Sequence, residues 1–181
     1  MYDVEAVNHL LAQGTVVLQI VTVFLFVLYF FRSHKDVAVL KGYILRWGIP
    51  LAFVVSLGSS ALTLFYSEVL GIEPCPLCWW QRVFLYPQVV LFAIALWKRD
   101  TLIASYSIAL SFLGFCFAIY HHALQILPTG TLPCPATGEV SCAMRIMFEF
   151  GYITYPLMSA TLFAFLIALM LFLKNNSQKQ S

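Results

Sequence analysis

Glu73-Pro74-Cys75-Pro76-Leu77-Cys78-Trp79-Trp80-Gln81-Arg82 joins one long apolar run to the next. Two thiols stand two residues apart, prolines flank the first, and a cation lies one helical turn beyond the second. Outward from this stretch, the chain on both sides is too apolar for water. Hydrophobic residues fill 61% of its 181 positions and charged residues 10%, where a soluble domain carries roughly 25% charged residues. Mean hydropathy is +0.87. The composition predicts an integral membrane protein. A net charge of +2, with no basic cluster or glycine-rich nucleotide motif, points to the lipid bilayer and to no nucleic acid as partner.

A helix needs about 20 mostly apolar residues to cross a bilayer. Five segments qualify, at about 10–31, 43–66, 82–97, 102–124 and 152–173. The short alternating segments of a membrane barrel are missing, so the spans are expected to be helices, the fold all-α, and residues 1–181 a single membrane domain. Asp3 and Glu5 precede the first span where a secretory signal would be basic, and no small-residue cleavage site follows. That span is expected to remain in the mature protein. The Met144–Phe150 stretch mixes apolar residues with Arg145 and Glu149; it reads either as a short amphipathic surface helix or as the ragged start of the fifth span.

Lys and Arg set the orientation. Arg32, Lys35, Lys41, Arg46, Lys98, Arg99, Lys174 and Lys179 fall on one side of a five-span chain, and only Arg82 and Arg145 on the other. The N-terminus is therefore expected outside and the C-terminus in the cytoplasm. The outer loops, about 67–81 and 125–151, then carry Cys75 and Cys78 in the first and Cys134 and Cys142 in the second.

A Cys-x-x-Cys spacing lets both thiols meet within one turn. Cys78 falls near the start of the third span, where the helix dipole favours a thiolate, and Arg82 lies on the same face to pair with an anion. These are the conditions of a reactive cysteine. A structural disulfide is the bland alternative, as is half a zinc site, although zinc normally takes four ligands. Cys134 and Cys142 close a ring over a flexible Pro- and Gly-containing segment. That ring is either a loop staple or an accessible disulfide, and two pairs on one membrane face favour a relay. Cys116, in mid-span, reads as a buried small hydrophobe. His121 and His122 are candidates for a ligand or proton role or are interfacial anchors. Trp79, Trp80 and Tyr86 read as an interfacial aromatic belt, with Trp79 or Trp80 as a possible wall for a flat ring ligand.

Cys75-Pro76-Leu77-Cys78-Trp79-Trp80-Gln81-Arg82, the outer cysteine pair, Cys142-Ala143-Met144-Arg145 and His121-His122-Ala123-Leu124-Gln125 resemble the DsbB family of bacterial membrane disulfide oxidoreductases, including its BdbC-type members. The resemblance covers about residues 46–173. It implies a four-helix DsbB-like bundle, here with an extra N-terminal span, in the bacterial inner membrane. It also implies a quinone-dependent protein-disulfide oxidoreductase that reoxidises a DsbA-like, thioredoxin-fold thiol oxidase. The implied catalytic residues are Cys75, Cys78, Cys134 and Cys142, the implied quinone contacts are Arg82 and His121, and no metal is implied. In that scheme the partner attacks Cys134, Cys142 exchanges with Cys75, and Cys78 meets the quinone, a ubiquinone or menaquinone. The best-known members have four spans and both ends in the cytoplasm, and their second cysteines lie further apart. A vitamin K epoxide reductase-like enzyme shares the helical bundle, two cysteine pairs and quinone, but matches less well around Arg82 and Cys142. A metal-handling protein using Cys75, Cys78, His121 and His122 is the alternative outside the oxidoreductases.

Overall fold

The computed structural model describes residues 4–31, 38–98, 100–128, 131–133 and 141–177. Five helices carry the chain: α1 Val4–Phe30, α2 Ala38–Leu64, α3 Pro76–Lys98, α4 Ile103–Ile126 and α5 Tyr155–Ser177. All five hold a stretch long and apolar enough to cross a membrane, and the described residues include no strand beyond one isolated bridge. In hydrocarbon every backbone N–H and C=O must find a partner within the protein, and a helix provides this segment by segment.

α5 is the centre of the bundle. Within its apolar window 67% of residues are buried inside the protein, against 22–33% for the other four helices, whose outer faces stay open to lipid. It packs against α1, α2 and α4, while α3 bridges α2 and α4. The core is built from α5 side chains such as Phe163, Phe165, Leu166, Met170 and Phe172, set against Ala52, Phe92 and Ala118. Gly114 lets α4 approach closely, because a Cβ there would overlap the Phe163 ring. Between α3 and α4, fully buried Gln88 accepts hydrogen bonds from Ser107 Oγ (2.7 Å) and Ser111 Oγ (3.2 Å). With lipid on the outside, such a polar clamp and a small-residue seam hold helices together where hydrophobicity alone does not.

The elements depart from the sequence expectation in four places. α3 starts at Pro76, six positions before 82, so the thiol pair caps the helix instead of preceding it. α2 runs on into a π-helical turn over Phe65–Val69. Met144–Phe150 forms no helix and is not the start of α5. It leads into a tight hairpin in which Glu149 and Ile153 exchange backbone hydrogen bonds of 2.9 and 2.8 Å. Phe150 (φ 52°) and Gly151 (φ 76°) lie in the left-handed region as the two central residues of a turn closed by the Tyr152 N–H on the Glu149 carbonyl at 3.2 Å, inside a three-residue loop. Cys116 is exposed on the outer face of α4, not buried.

Candidate functional site

The local sequence explains how α3 presents its cysteines. The carbonyl of Cys75 accepts the Trp79 N–H at 3.2 Å, which makes Cys75 the residue capping the helix. Pro76 takes the first helical position, where its missing N–H costs nothing and its fixed φ suits the helix. Cys78 is then in the first turn, at the positive end of the helix dipole. Cys75 Sγ donates to Cys78 Sγ over 3.1 Å, so the proton the two share rests on Cys75. That bond and burial push the Cys75 thiol up to about 12, with His121 working weakly against them.

His121 on α4 is buried, with 1% of its surface exposed. Gln81 Nε2 donates to its Nδ1 at 3.0 Å, which leaves the neutral ring's proton on Nε2. That nitrogen lies 3.1 Å from the Cys142 carbonyl and 3.6 Å from Cys75 Sγ. Cys142 is buried in one cluster with Cys75, Leu77 and Leu124. Gln125 holds the same loop through the Met144 carbonyl at 3.0 Å, and Arg145 Nε donates back to the Gln125 carbonyl in the last turn of α4. Residues 142–145 are thus fastened beside the first thiol pair by three polar side chains.

Arg82 lies one turn below Cys78 and is 7% exposed. Its Nη2 donates to the Thr63 carbonyl at 2.8 Å, and its guanidinium sits 5.1 Å from the centre of the Trp79 ring. Among the described residues no carboxylate pairs with it. A buried cation without an anion is expensive to keep, and at membrane depth it marks a binding site before it marks a staple. Arg82, Gln81, Cys75, Cys78 and His121 line one end of a cavity of about 320 Å³. Leu85, Leu162 and Phe163 line its deeper part. Its volume falls in the usual range of ligand pockets, and its wall is largely apolar, with Thr63, Glu73, Gln125 and Ser141 also among the lining residues.

Of the six candidate residues, the structure gathers Cys75, Cys78, Cys142, Arg82 and His121 at this cavity; Cys134 lies outside the described residues. His122 points elsewhere, its Nδ1 2.8 Å from the Thr154 hydroxyl. Trp79 and Trp80 are about half exposed; Trp80 stacks on Phe117, and neither lines the cavity. Cys75, Cys78 and His121 bring their donor atoms within 4.8 Å of one another, a three-donor set of the kind a soft metal accepts. Sequence reasoning missed Gln81, Gln125 and Thr63. The first two are polar side chains on apolar helices, a signal it had already used for the histidines.

Comparison with known proteins agrees with this arrangement. The model of the family "Disulfide bond formation protein DsbB" matches residues 45–173. A probable disulfide formation protein C of Bacillus cereus is 39% identical over 62% of this chain and 77% of its own length. An SPbeta prophage-derived disulfide bond formation protein B of Bacillus subtilis is 38% identical over 72% of this chain and 89% of its own. A probable disulfide formation protein of Chlamydia muridarum is 38% identical over 67% and 87%. No solved structure matches the chain significantly. Five membrane-length helices, a capped Cys-x-x-Cys and a match over most of the chain converge on one assignment: this protein belongs to the DsbB family of membrane proteins for disulfide bond formation.

Proposed function

We propose that the protein reoxidises a thioredoxin-fold thiol oxidase on the outer face of the bacterial cytoplasmic membrane and passes the electrons to a membrane quinone. The observation that carries this reading is Arg82: a buried guanidinium that pairs with no carboxylate among the described residues, four residues from Cys78, in a cavity whose wall is largely apolar. Such a cavity suits a flat carbonyl-bearing head with an apolar tail. A bound quinone supplies the oxidising power, taking up two electrons and two protons to leave as quinol.

The remaining steps belong to the chain's own sulfurs. A thiolate of the reduced partner attacks Cys134 of a Cys134–Cys142 disulfide, and the partner's second thiol resolves the mixed disulfide. The partner leaves oxidised, and Cys134 and Cys142 are left as thiols. Cys142 then attacks Cys75 of a Cys75–Cys78 disulfide, releasing Cys78 as thiolate, and Cys134 closes the outer disulfide again by displacing Cys75. The clustering of Cys142 with Cys75 supports this order of exchange. His121 Nε2, next to Cys75 Sγ, is placed to hand a proton to the departing Cys75 sulfur. Arg82 would hold a carbonyl oxygen of the oxidant near Cys78. Because a thioredoxin-fold oxidase of this kind sits near about −120 mV, an ordinary thiol could not drain it, whereas a quinone can.

The test combines the purified protein, a reduced thioredoxin-fold oxidase and a quinone, with quinone absorbance as the readout. The expected result is quinone loss that stops when Cys75→Ser or Cys78→Ser is introduced. Folded wild-type protein that leaves the quinone untouched would refute the function. The trio Cys75, Cys78 and His121 supports a second reading, metal handling; stoichiometric zinc or copper retained through purification, and lost in Cys78→Ser, would favour it.

A further inference from the structure

α1 lies outside the matched family region, which begins at residue 45, yet it forms one wall of the cavity. Leu10, Leu11, Gly14, Thr15 and Leu18 recur every three or four residues along one helix face and line the same space as Cys78 and Arg82. This wall offers no free donor, because the Thr15 hydroxyl donates back to the Leu11 carbonyl at 2.8 Å.

The wall is held firmly. Above it, Asn8 Oδ1 accepts hydrogen bonds from Tyr66 (2.6 Å) and Tyr155 (3.0 Å), tying α1 to the ends of α2 and α5. Below it, Gln19 donates to Thr161 at 3.3 Å and accepts from Tyr152 at 3.0 Å. Interhelical hydrogen bonds of this kind hold helices together in a membrane. They bracket the lining stretch on both sides, so α1 is seated as a fixed part of the bundle.

α1 packs along α5 and stands off from α2. Leu10 and Gly14 are both exposed and both line the cavity, which puts its mouth at the slot between α1 and α2. A Cβ on Gly14 would meet no atom within 4 Å. The slot thus opens sideways at membrane depth, with the redox pair and Arg82 at its inner, polar end.

We propose that α1 is the entry wall for the electron acceptor, and that the polyisoprenoid tail of the quinone lies across Gly14 between α1 and α2. This rests on the quinone reading above and adds a binding element outside the matched family region. A quinone head needs the polar end, and its tail must leave through an apolar opening into the bilayer. The slot at Gly14 meets both needs.

Gly14→Phe fills the slot from a position with open space, whereas Val17→Phe puts the same ring on an exposed position that does not line the cavity. Both are tested in the full-length protein with a decyl-tailed benzoquinone and a tail-less benzoquinone. Binding is read from quenching of tryptophan fluorescence, since Trp79 lies against Arg82, and turnover from quinone absorbance. Gly14→Phe is expected to weaken decyl-quinone binding and raise its KM by about tenfold, equivalent to about 1.4 kcal/mol. Tail-less quinone binding, the Val17→Phe variant and disulfide exchange with the partner should each stay within about twofold of wild type. A second arm uses a quinone with a photoreactive azide at the end of its tail; labelled peptides should map to residues 10–18. Unchanged decyl-quinone affinity in Gly14→Phe, equal weakening of both quinones, or label confined to other helices would overturn the proposal, as would a slot that takes up lipid acyl chains and no quinone. Wild-type protein that neither binds nor reduces either quinone would overturn the quinone reading itself, before any variant is compared.

Discussion

Cys75 and Cys78 are adjacent in space and unequal in chemistry. Cys75 donates its proton to Cys78, and its thiol is pushed up to about 12 from an ordinary value of 9.0. Only thiolates attack alkylating reagents, so Cys75 stays a thiol through the neutral range. A first equivalent of iodoacetamide added to reduced protein at pH 8 should therefore label Cys78 and spare Cys75. Raising the pH to 10, past the ordinary thiol range, should not bring Cys75 forward as it would a free cysteine. Peptide mass spectrometry reads the order, and equal labelling would show that the hydrogen bond does not govern the pair. Arg82 makes a different prediction. Arg82→Ala should raise the KM for quinone by about tenfold or more, since a hydrogen bond to a charged group is worth about 1.5–3 kcal/mol. Partner–disulfide exchange should hardly change. Unaltered quinone affinity would remove Arg82 from the site.

At the scale of elements, the α4–α5 seam depends on one missing side chain. Gly114→Ala would press a methyl group into the Phe163 ring, and overpacking of this kind costs about 1–3 kcal/mol. A lower thermal midpoint in detergent, with the thiol pair's reactivity retained, is the expected outcome. Helix identity was legible in the sequence, because a run of about 20 apolar residues permits little else in a membrane. The Cys-x-x-Cys to Arg82 spacing pointed to residues that line one cavity, since polar groups at membrane depth are few. The boundaries were less legible. Pro76 read only as a flank of the first thiol, yet a proline also suits the first helical position, and α3 starts there. Met144–Phe150 has a composition that fits an amphipathic helix, but the left-handed pair Phe150 and Gly151 and the hairpin bonds of Glu149 and Ile153 hold it as a turn. The cavity itself was invisible, because it is built from single faces of five helices that only packing brings together.

For the whole molecule, the account needs both cysteine loops on the outer side. Eight of the ten basic residues lie on the opposite side of a five-span chain, and such bias sets orientation during insertion. A membrane-impermeant maleimide applied to intact cells should block Cys78 after reduction. A protease acting on the C-terminal tail should need inverted vesicles to reach it. A tail cleaved from outside would reverse the topology and leave the thiols facing a reducing cytoplasm, where they could not persist as disulfides. The same arrangement gives α1 its place. It is fastened to α5 by Asn8 and Gln19 and faces the cavity with its apolar stripe.

The central claim is that electrons leave the protein through Cys78 into a quinone. The most direct measurement mixes fully reduced protein with excess quinone under anaerobic conditions, without partner, and counts thiols lost against quinol formed. One quinol for each pair of thiols lost is the expected result, with none formed by Cys78→Ser. Thiols that persist in the presence of excess quinone, in folded wild-type protein, would contradict it.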